Sequence, residues 1–434
     1  MKRRLLLFLG ICLLLFAVAC GGSDSNDKDA NNSNTDSSGD TDTITAWAWD
    51  QVFNVTAIET AGEYYDGDEE FELKVIENAQ DDIIQKLNAG LSSGTTSGLP
   101  NIVLIEDYRA QSFLQAYPDA FFALDDYFDV NDFADYKIET TSYDGKQYGV
   151  PFDTGVSGLY VRTDYLDEAG YTVEDLTDIT WQEYIEIGKD VKEATGKDMI
   201  TLDPNDLGQI RMMIQTVGSW YVEEDGSTPD IADNEALHEA FEVYKGMMDA
   251  DIVKLNSDWS QFVGAFNSGD VASVPTGNWI TASVNSEESQ SGDWAVVPIP
   301  RLSMNGSVNA TNLGGSSWYV LDIDGKEKAA DLLGNTFGVN VELYEELVAE
   351  IGAIGTYIPA AESDAYKAED EFFGGQSIIA DFSSWIDEIP SVNYGIHTYA
   401  IEDILVEGMQ QYFNGKDLTD VLNDAQTQAE SQLN

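Results

Sequence analysis

From residue 44 onward, apolar and polar positions alternate first with a period of two and then with a period near 3.6, and the two patterns keep trading places. Ile44-Thr-Ala-Trp-Ala-Trp49 alternates and is rich in β-forming side chains, which predicts a strand. Residues 50–65 predict a helix, and Phe71-Glu-Leu-Lys-Val-Ile76 a second strand. Across 80–91, the apolar residues Ile83, Ile84, Leu87 and Leu91 share one helical face. Asn101-Ile-Val-Leu-Ile105 is a continuous apolar run, as a strand buried on both faces requires. Residues 108–117 predict another helix. Strand and helix in alternation predict an α/β domain with a largely parallel sheet. Ligands of such sheets gather outside the carboxyl ends of the strands. Here those ends carry Trp49-Asp50 and Glu106-Asp107.

The texture changes near residue 140. Tyr143-Asp144-Gly145-Lys146 predicts a turn, Gln147-Tyr-Gly-Val-Pro151 follows, and Leu159-Tyr-Val-Arg162 predicts a strand. Helices are predicted at 181–194, 207–217, 235–250, 259–267 and 326–337, and short strands at 271–274 and 294–298. A β-like return covers 317–321, and the tail, 400–433, is mostly helical. A chain of 434 residues predicts about two domains.

The amino end follows neither pattern. Lys2, Arg3 and Arg4 precede an apolar stretch, 5–19, that stops at Ala17-Val18-Ala19-Cys20-Gly21-Gly22. A basic start, a short apolar run and small residues before a break make a secretory signal. The run is short of the about 20 residues that a membrane span needs. The cysteine at the break resembles a bacterial lipobox, with Ala17 where Leu is usual. That resemblance implies removal of 1–19 and a lipid anchor at Cys20, on the extracytoplasmic face of the cell membrane. Residues 20–43, rich in Ser, Asn, Asp, Gly and Thr, cannot bury enough apolar surface to offset their ordering entropy and read as a disordered tether.

Charge narrows the partners. Lys and Arg number 21 against 79 Asp and Glu, a formal net charge of −58. Cleavage after residue 19 removes three positive charges and takes it to −61. Phosphate recognition needs clustered Lys and Arg, so nucleic acid is excluded. A solvated acidic surface and a salty habitat both account for the charge. Comparing unfolding at low and high salt separates them. The two cysteines, Cys12 and Cys20, fall in the signal and at the lipid site, so the mature fold has no disulfide and rests on its core.

Catalytic motifs do not accumulate. Gly90-Leu91-Ser92-Ser93-Gly94 matches G-x-S-x-G, but that motif needs a strand before it and a helix after, and here a helix precedes. His238 and His397 are the only histidines and stand isolated, which leaves no catalytic triad or zinc site to build. No phosphate-binding loop occurs, and the acidic stretch 66–70 lacks calcium-loop spacing. No cofactor is called for. The positive signal is aromatic and carboxylate. Nine Trp all follow residue 43. Trp49, Trp220, Trp279, Trp318 and Trp385 fall near predicted strand ends, turns or Gly-rich breaks. A sugar ring offers one C–H face to an indole and an edge of hydroxyls to carboxylates, so Trp faces with Asp and Glu edges suit a carbohydrate.

Three segments then resemble one family. They are Tyr143-Asp-Gly-Lys-Gln-Tyr-Gly-Val-Pro-Phe-Asp-Thr-Gly155 with Leu159-Tyr-Val-Arg-Thr-Asp164, then 262–279 ending Gly277-Asn-Trp279, and Leu313-Gly-Gly-Ser-Ser-Trp-Tyr319. In this order, behind a lipobox, they resemble the extracellular solute-binding proteins (family 1) of bacterial carbohydrate ABC importers; Asn278 departs from the commoner Pro or Ser. The resemblance covers 17–434 and implies a two-lobed, periplasmic-binding-protein-like α/β fold with a hinged interlobe cleft. Lobe one is expected at 44–140 and 311–352, and lobe two at 141–310 and 353–434. The resemblance further implies a carbohydrate ligand, no catalysis, and delivery to ABC transporter permease subunits. For the site it implies stacking by Trp279, polar contacts from Glu106, Asp107 and Asp153, and contacts from Gly314, Gly315 and Ser316. Trp49, Asp50, Asp206, Trp220, Trp385 and Tyr394 carry over less directly. A secreted glycoside hydrolase and a receptor for a peptide or polyamine remain as alternatives.

Overall fold

The computed structural model describes residues 43–67 and 69–433. The signal, Cys20 and the tether up to residue 42 lie outside the described residues, and Thr43, read as the end of the tether, is the first residue of a strand. Eleven strands follow in chain order: β1 Thr43–Ala48, β2 Glu72–Glu77, β3 Ile102–Glu106, β4 Ser142–Tyr143, β5 Lys146–Gln147, β6 Gly149–Arg162, β7 Ile200–Leu202, β8 Val253–Leu255, β9 Ser273–Gly277, β10 Trp294–Pro298 and β11 Asn312–Val320.

Two lobes are built on two sheets that share β6. In the first, β2, β1 and β3 run parallel. β11 lies antiparallel to β3, and the first half of β6 is antiparallel to β11. The expected parallel sheet is therefore mixed, because β11 enters beside β3 from the opposite direction. In the second sheet, the later half of β6 pairs antiparallel with β9 on one side and β10 on the other. The change of partners falls between Val156, opposite Asn312, and Ser157, opposite Gly277. Sequence periodicity found β6 only at 159–162. All fourteen of its residues are buried, so it shows no alternation, and Gly149, Pro151, Gly155 and Gly158 mask it further.

The core follows the strands. In β3, Ile102 and Leu104 face one apolar cluster while Val103 and Ile105 face another, which is the two-sided burial its sequence predicted. In β6, Val156 and Tyr160 join the first of these clusters, and Leu159 and Val161 face a third with Trp181, Met213, Phe241 and Leu405. Each such large side chain contributes about 1.5–3 kcal/mol by leaving water. The turn at 143–146 closes the β4–β5 hairpin, with Asp144 at φ 48° and Gly145 at φ 73°, as a two-residue hairpin loop demands. Two helices absent from the sequence reading, Val341–Ile351 and Ile378–Ile386, pack on the first cluster. The helical tail is two helices, Thr398–Phe413 and Leu418–Gln432, broken at Gly415 (φ 93°) and restarted by Asp417, whose carboxylate accepts from the Thr419 and Asp420 N–H groups. Among the described residues no helix is long and apolar enough to cross a membrane.

Candidate functional site

A cavity of about 1180 Å³ opens where strands of both lobes end. Trp49 and Asp50 follow β1, Glu106 ends β3, Asp203 follows β7, Asn256 follows β8, and Asn278 and Trp279 follow β9; all line it. Its place outside the carboxyl ends of these strands is the one expected of open α/β sheets.

Trp279 is held by its edge. Its Nε1 donates to the Leu313 carbonyl at 2.8 Å, which leaves the ring face free for the cavity. Gly277 permits this approach, since a Cβ there would stand 2.3 Å from the indole nitrogen and 2.6 Å from the Leu313 oxygen. Trp259 and Phe262 continue the apolar wall, and Phe53 and Trp49 also contribute to the lining. Asp50 caps the turn Gln51–Val55, accepting from the Val52 and Phe53 N–H groups at 3.0 and 3.1 Å. Asp206 accepts from the Gly208 N–H at 2.8 Å and so starts the helix Gly208–Gln215.

Below this wall lies a closed polar network. Lys137 is fully buried, and its ammonium donates to Asp107 Oδ2 at 2.6 Å, the Asp153 carbonyl at 2.9 Å and the Ser316 carbonyl at 2.8 Å. All three of its donors are thereby used. Ser317 Oγ donates to Asp107 Oδ1, and Ser316 donates to Asp153 Oδ1 through both N–H and Oγ. Burial pushes the Asp153 carboxyl up to about 6, against the pull of Lys137 and Ser316. Gly314 and Gly315, at φ 88° and 91°, form the irregularity in β11 that brings Ser316 here; a Cβ on Gly315 would stand 2.7 Å from Asp107 Oδ2. Gly314, Gly315, Ser316 and Asp153 line the cavity.

Beside this network Arg211 lies between two aromatic rings, with Cζ 4.9 Å from the Tyr108 centroid and 5.7 Å from that of Tyr399. It approaches Glu402 at 3.4 Å and Asp206 at 3.6 Å, yet its Nε and Nη1 are buried without a hydrogen bond. Glu106 accepts from the Tyr399 hydroxyl at 2.6 Å, and burial raises its pKa. Asn278 Oδ1, Gln209 Oε1 and Asn285 Oδ1 are likewise buried without partners, and all three residues line the cavity. Buried polar atoms left unpaired in a native fold call for a reason. These residues border the cavity, where a bound polar ligand and a small turn of the side chain would supply the missing partners.

Four expected contacts do not line the cavity. Asp107 is committed to Lys137 beneath it. Trp220, 3% exposed, donates Nε1 to Thr398 Oγ1 and stacks on Tyr108, so it is core. Tyr394, 2% exposed, donates to Asn312 Oδ1. Trp385 packs edge-on against Phe382, on the helix Ile378–Ile386. Conversely, Gln209, Arg211, Asn285, Trp259, Phe262 and Phe53 line the cavity and were not foreseen. Arg211 did leave a signal: it is the one charge within Ile210-Arg-Met-Met-Ile214. The G-x-S-x-G match is the exposed end of the helix Gln80–Ser93, closed by Gly94 at φ 66°, and is no nucleophile turn. Among the described residues no group of three or more His, Cys, Asp or Glu is placed to hold a metal ion.

Comparison with known proteins agrees with this geometry. A family model for bacterial extracellular solute-binding proteins matches residues 56–374. The lactose-binding protein of Rhizobium radiobacter is 42% identical over 386 residues, covering 88% of this chain and 91% of that one. The arabinooligosaccharide-binding protein of Halalkalibacterium halodurans is 26% identical over 330 residues, 74% of this chain and 73% of that one. The solved structure of the sugar-binding protein MalE from Xanthomonas citri superposes with a TM-score of 0.76 over 90% of this chain and 97% of that one, at 17% identity, a likeness of fold. The family is one of binding proteins, not enzymes, and on the match of its model and the 42% relative this chain belongs to the bacterial extracellular solute-binding proteins.

Proposed function

We propose that this chain is an extracytoplasmic receptor, lipid-anchored at Cys20, that holds a neutral disaccharide or short oligosaccharide in the cavity and delivers it to the permease of an ABC importer. The observation that carries the reading is that Trp279, held by its edge, lines one cavity with Asn278, Gln209 and Arg211, whose buried polar atoms make no hydrogen bond. Indole binds the C–H face of a pyranose. Sugar hydroxyls both donate and accept, so they can serve amide oxygens and a guanidinium together. The 42% identical relative, named for lactose, makes a galactose-containing disaccharide the first ligand to try.

The lobes, taken as 44–140 with 311–352 and 141–310 with 353–434, close over the sugar about the crossings of the chain. Only a ligand that binds the closed form better can drive that closure. Trp49, Asp50, Glu106, Asp153, Asp206, Trp279, Gly314, Gly315 and Ser316 are the proposed contacts retained from the sequence. Isothermal titration with lactose and with maltose, galactose and arabinose oligomers tests the reading. Micromolar or tighter binding of one saccharide class supports it, and no heat from any of them removes it. Eight Asp and Glu side chains line the cavity against one cation, Arg211, which also suits a cationic solute. Spermidine therefore belongs in the same titration, and binding of spermidine alone would favour that second reading.

A further inference from the structure

Trp259 is a large apolar side chain left 56% exposed. It is the first residue of the helix Trp259–Asn267, next to Asp258, whose carboxylate caps that helix by accepting from the Gln261 N–H at 2.9 Å. Its ring centroid lies 5.9 Å from that of Trp279, with the planes at 38°, and 5.6 Å from that of Phe262, at 36°. The indole face inside the cavity thus continues outward, ring by ring, to the rim. Beyond the rim a second depression of about 450 Å³ is lined by Trp259, Ser260, Val263, Ala282, Ser283 and Ser286. Trp259, Ala282 and Ser283 line both spaces, so the cavity and the depression meet at the Trp259 ring.

The chemistry of this junction repeats that of the inner site. An aromatic face lies beside hydroxyls, with the Ser286 Oγ fixed between Asn267 and the Ser283 carbonyl. The main cavity, about 1180 Å³, already exceeds the about 300–1,000 Å³ typical of small-molecule sites, and it opens towards more space. An indole left in water is an apolar surface that a bound ring would cover.

We propose that Trp259 is the platform of an outer subsite, which takes the third and later rings of a glycan whose first rings lie on Trp279. The inference rests on the saccharide reading above and adds that the receptor selects for chain length. Its test is calorimetry on the protein and on Trp259→Ala and Trp259→Phe, with lactose, galactosyl-lactose and digalactosyl-lactose as probes. The wild-type protein is expected to bind the tri- and tetrasaccharide at least fivefold more tightly than lactose. Trp259→Ala should lower those two affinities at least fivefold more than it lowers that for lactose, and Trp259→Phe should fall between. Equal losses for all three probes, or no loss for any, would overturn the outer subsite while leaving the saccharide reading intact. A wild-type protein that binds none of the three, nor any other saccharide, would overturn both. An unchanged unfolding midpoint in the variants assigns any loss to binding.

Discussion

Two polar clusters meet at the cavity, built from the same kinds of side chain and finished in opposite ways. Around Lys137 every donor has an acceptor: one carboxylate and two carbonyls take its three protons, and Ser316 and Ser317 supply the donors that Asp153 and Asp107 need. Around Asn278 the accounts stay open, with the Asn278, Gln209 and Asn285 oxygens and two nitrogens of Arg211 making no hydrogen bond. A closed buried network holds a fold in one arrangement. An open one lowers stability unless something binds, since each unmade bond costs about 1–3 kcal/mol. Which polar residues sit in a pocket therefore says less than whether their bonds are already made.

Four variants test that contrast. Lys137→Met should have the largest effect, a loss of about 3–5 kcal/mol in unfolding free energy, because it strands the Asp107 carboxylate in the interior. Urea unfolding measures this, and a loss below about 1 kcal/mol would show that the closed network does not support the fold. Trp279→Ala should remove measurable saccharide binding, a loss of at least about 2 kcal/mol, with the fold retained. Calorimetry and circular dichroism read the two parts, and an unchanged affinity refutes the site. Asn278→Ala should weaken binding roughly fivefold, about 1 kcal/mol, while unfolding of the free protein shifts by less than that. A destabilisation like that of Lys137→Met would erase the distinction between the clusters.

The last effect depends on pH. The buried Asp153 carboxyl titrates near 6 in the fold, above its ordinary value of 3.8. Between those values the folded chain keeps a proton that the unfolded chain has released, so this group makes stability fall as pH rises from about 4 to 6. The linkage limit is about 3 kcal/mol at 1.36 kcal/mol per unit. Asp153→Asn keeps an oxygen for Ser316 and cannot ionise, so the difference between wild type and variant should grow in the variant's favour across that window. Parallel urea midpoints at pH 4 and pH 6.5 check it; a constant difference would show that Asp153 ionises as readily in the fold as in the unfolded chain and so counts against its raised pKa.

Much of this molecule was legible where local chemistry and fold agree. Ile102 to Ile105 read as a doubly buried strand, and Asp144-Gly145 as a tight turn, because each pattern has one inexpensive conformation. Gly314, Gly315 and Ser316 were singled out through resemblance as sugar contacts, and the positive φ of both glycines marks an irregularity in β11 that the sequence pattern alone did not reveal. What stayed hidden depends on tertiary placement. Trp220 and Tyr394 have the composition of a sugar platform, but their polar atoms are tied to Thr398 and Asn312 inside the fold. Asp107 looked like its neighbour Glu106, yet one step along the chain turns the side chain from the cavity to Lys137. Trp259 and Gln209 fell within correctly predicted helices, but helical periodicity does not say which open face borders a cavity.

Strand β6 serves two sheets with one uninterrupted backbone, its partners changing at Val156 and Ser157. Side chains along a strand point alternately up and down. The parity of both lobes is thus set by a single count of residues. Inserting one residue at that junction would leave one lobe in phase and turn each side chain of the other lobe's half of β6 to the opposite face, into an apolar cluster packed for its neighbour. Two residues would restore the phase and shift the register instead. Neither lobe can gain or lose a step on this shared rail without the other being put out of phase.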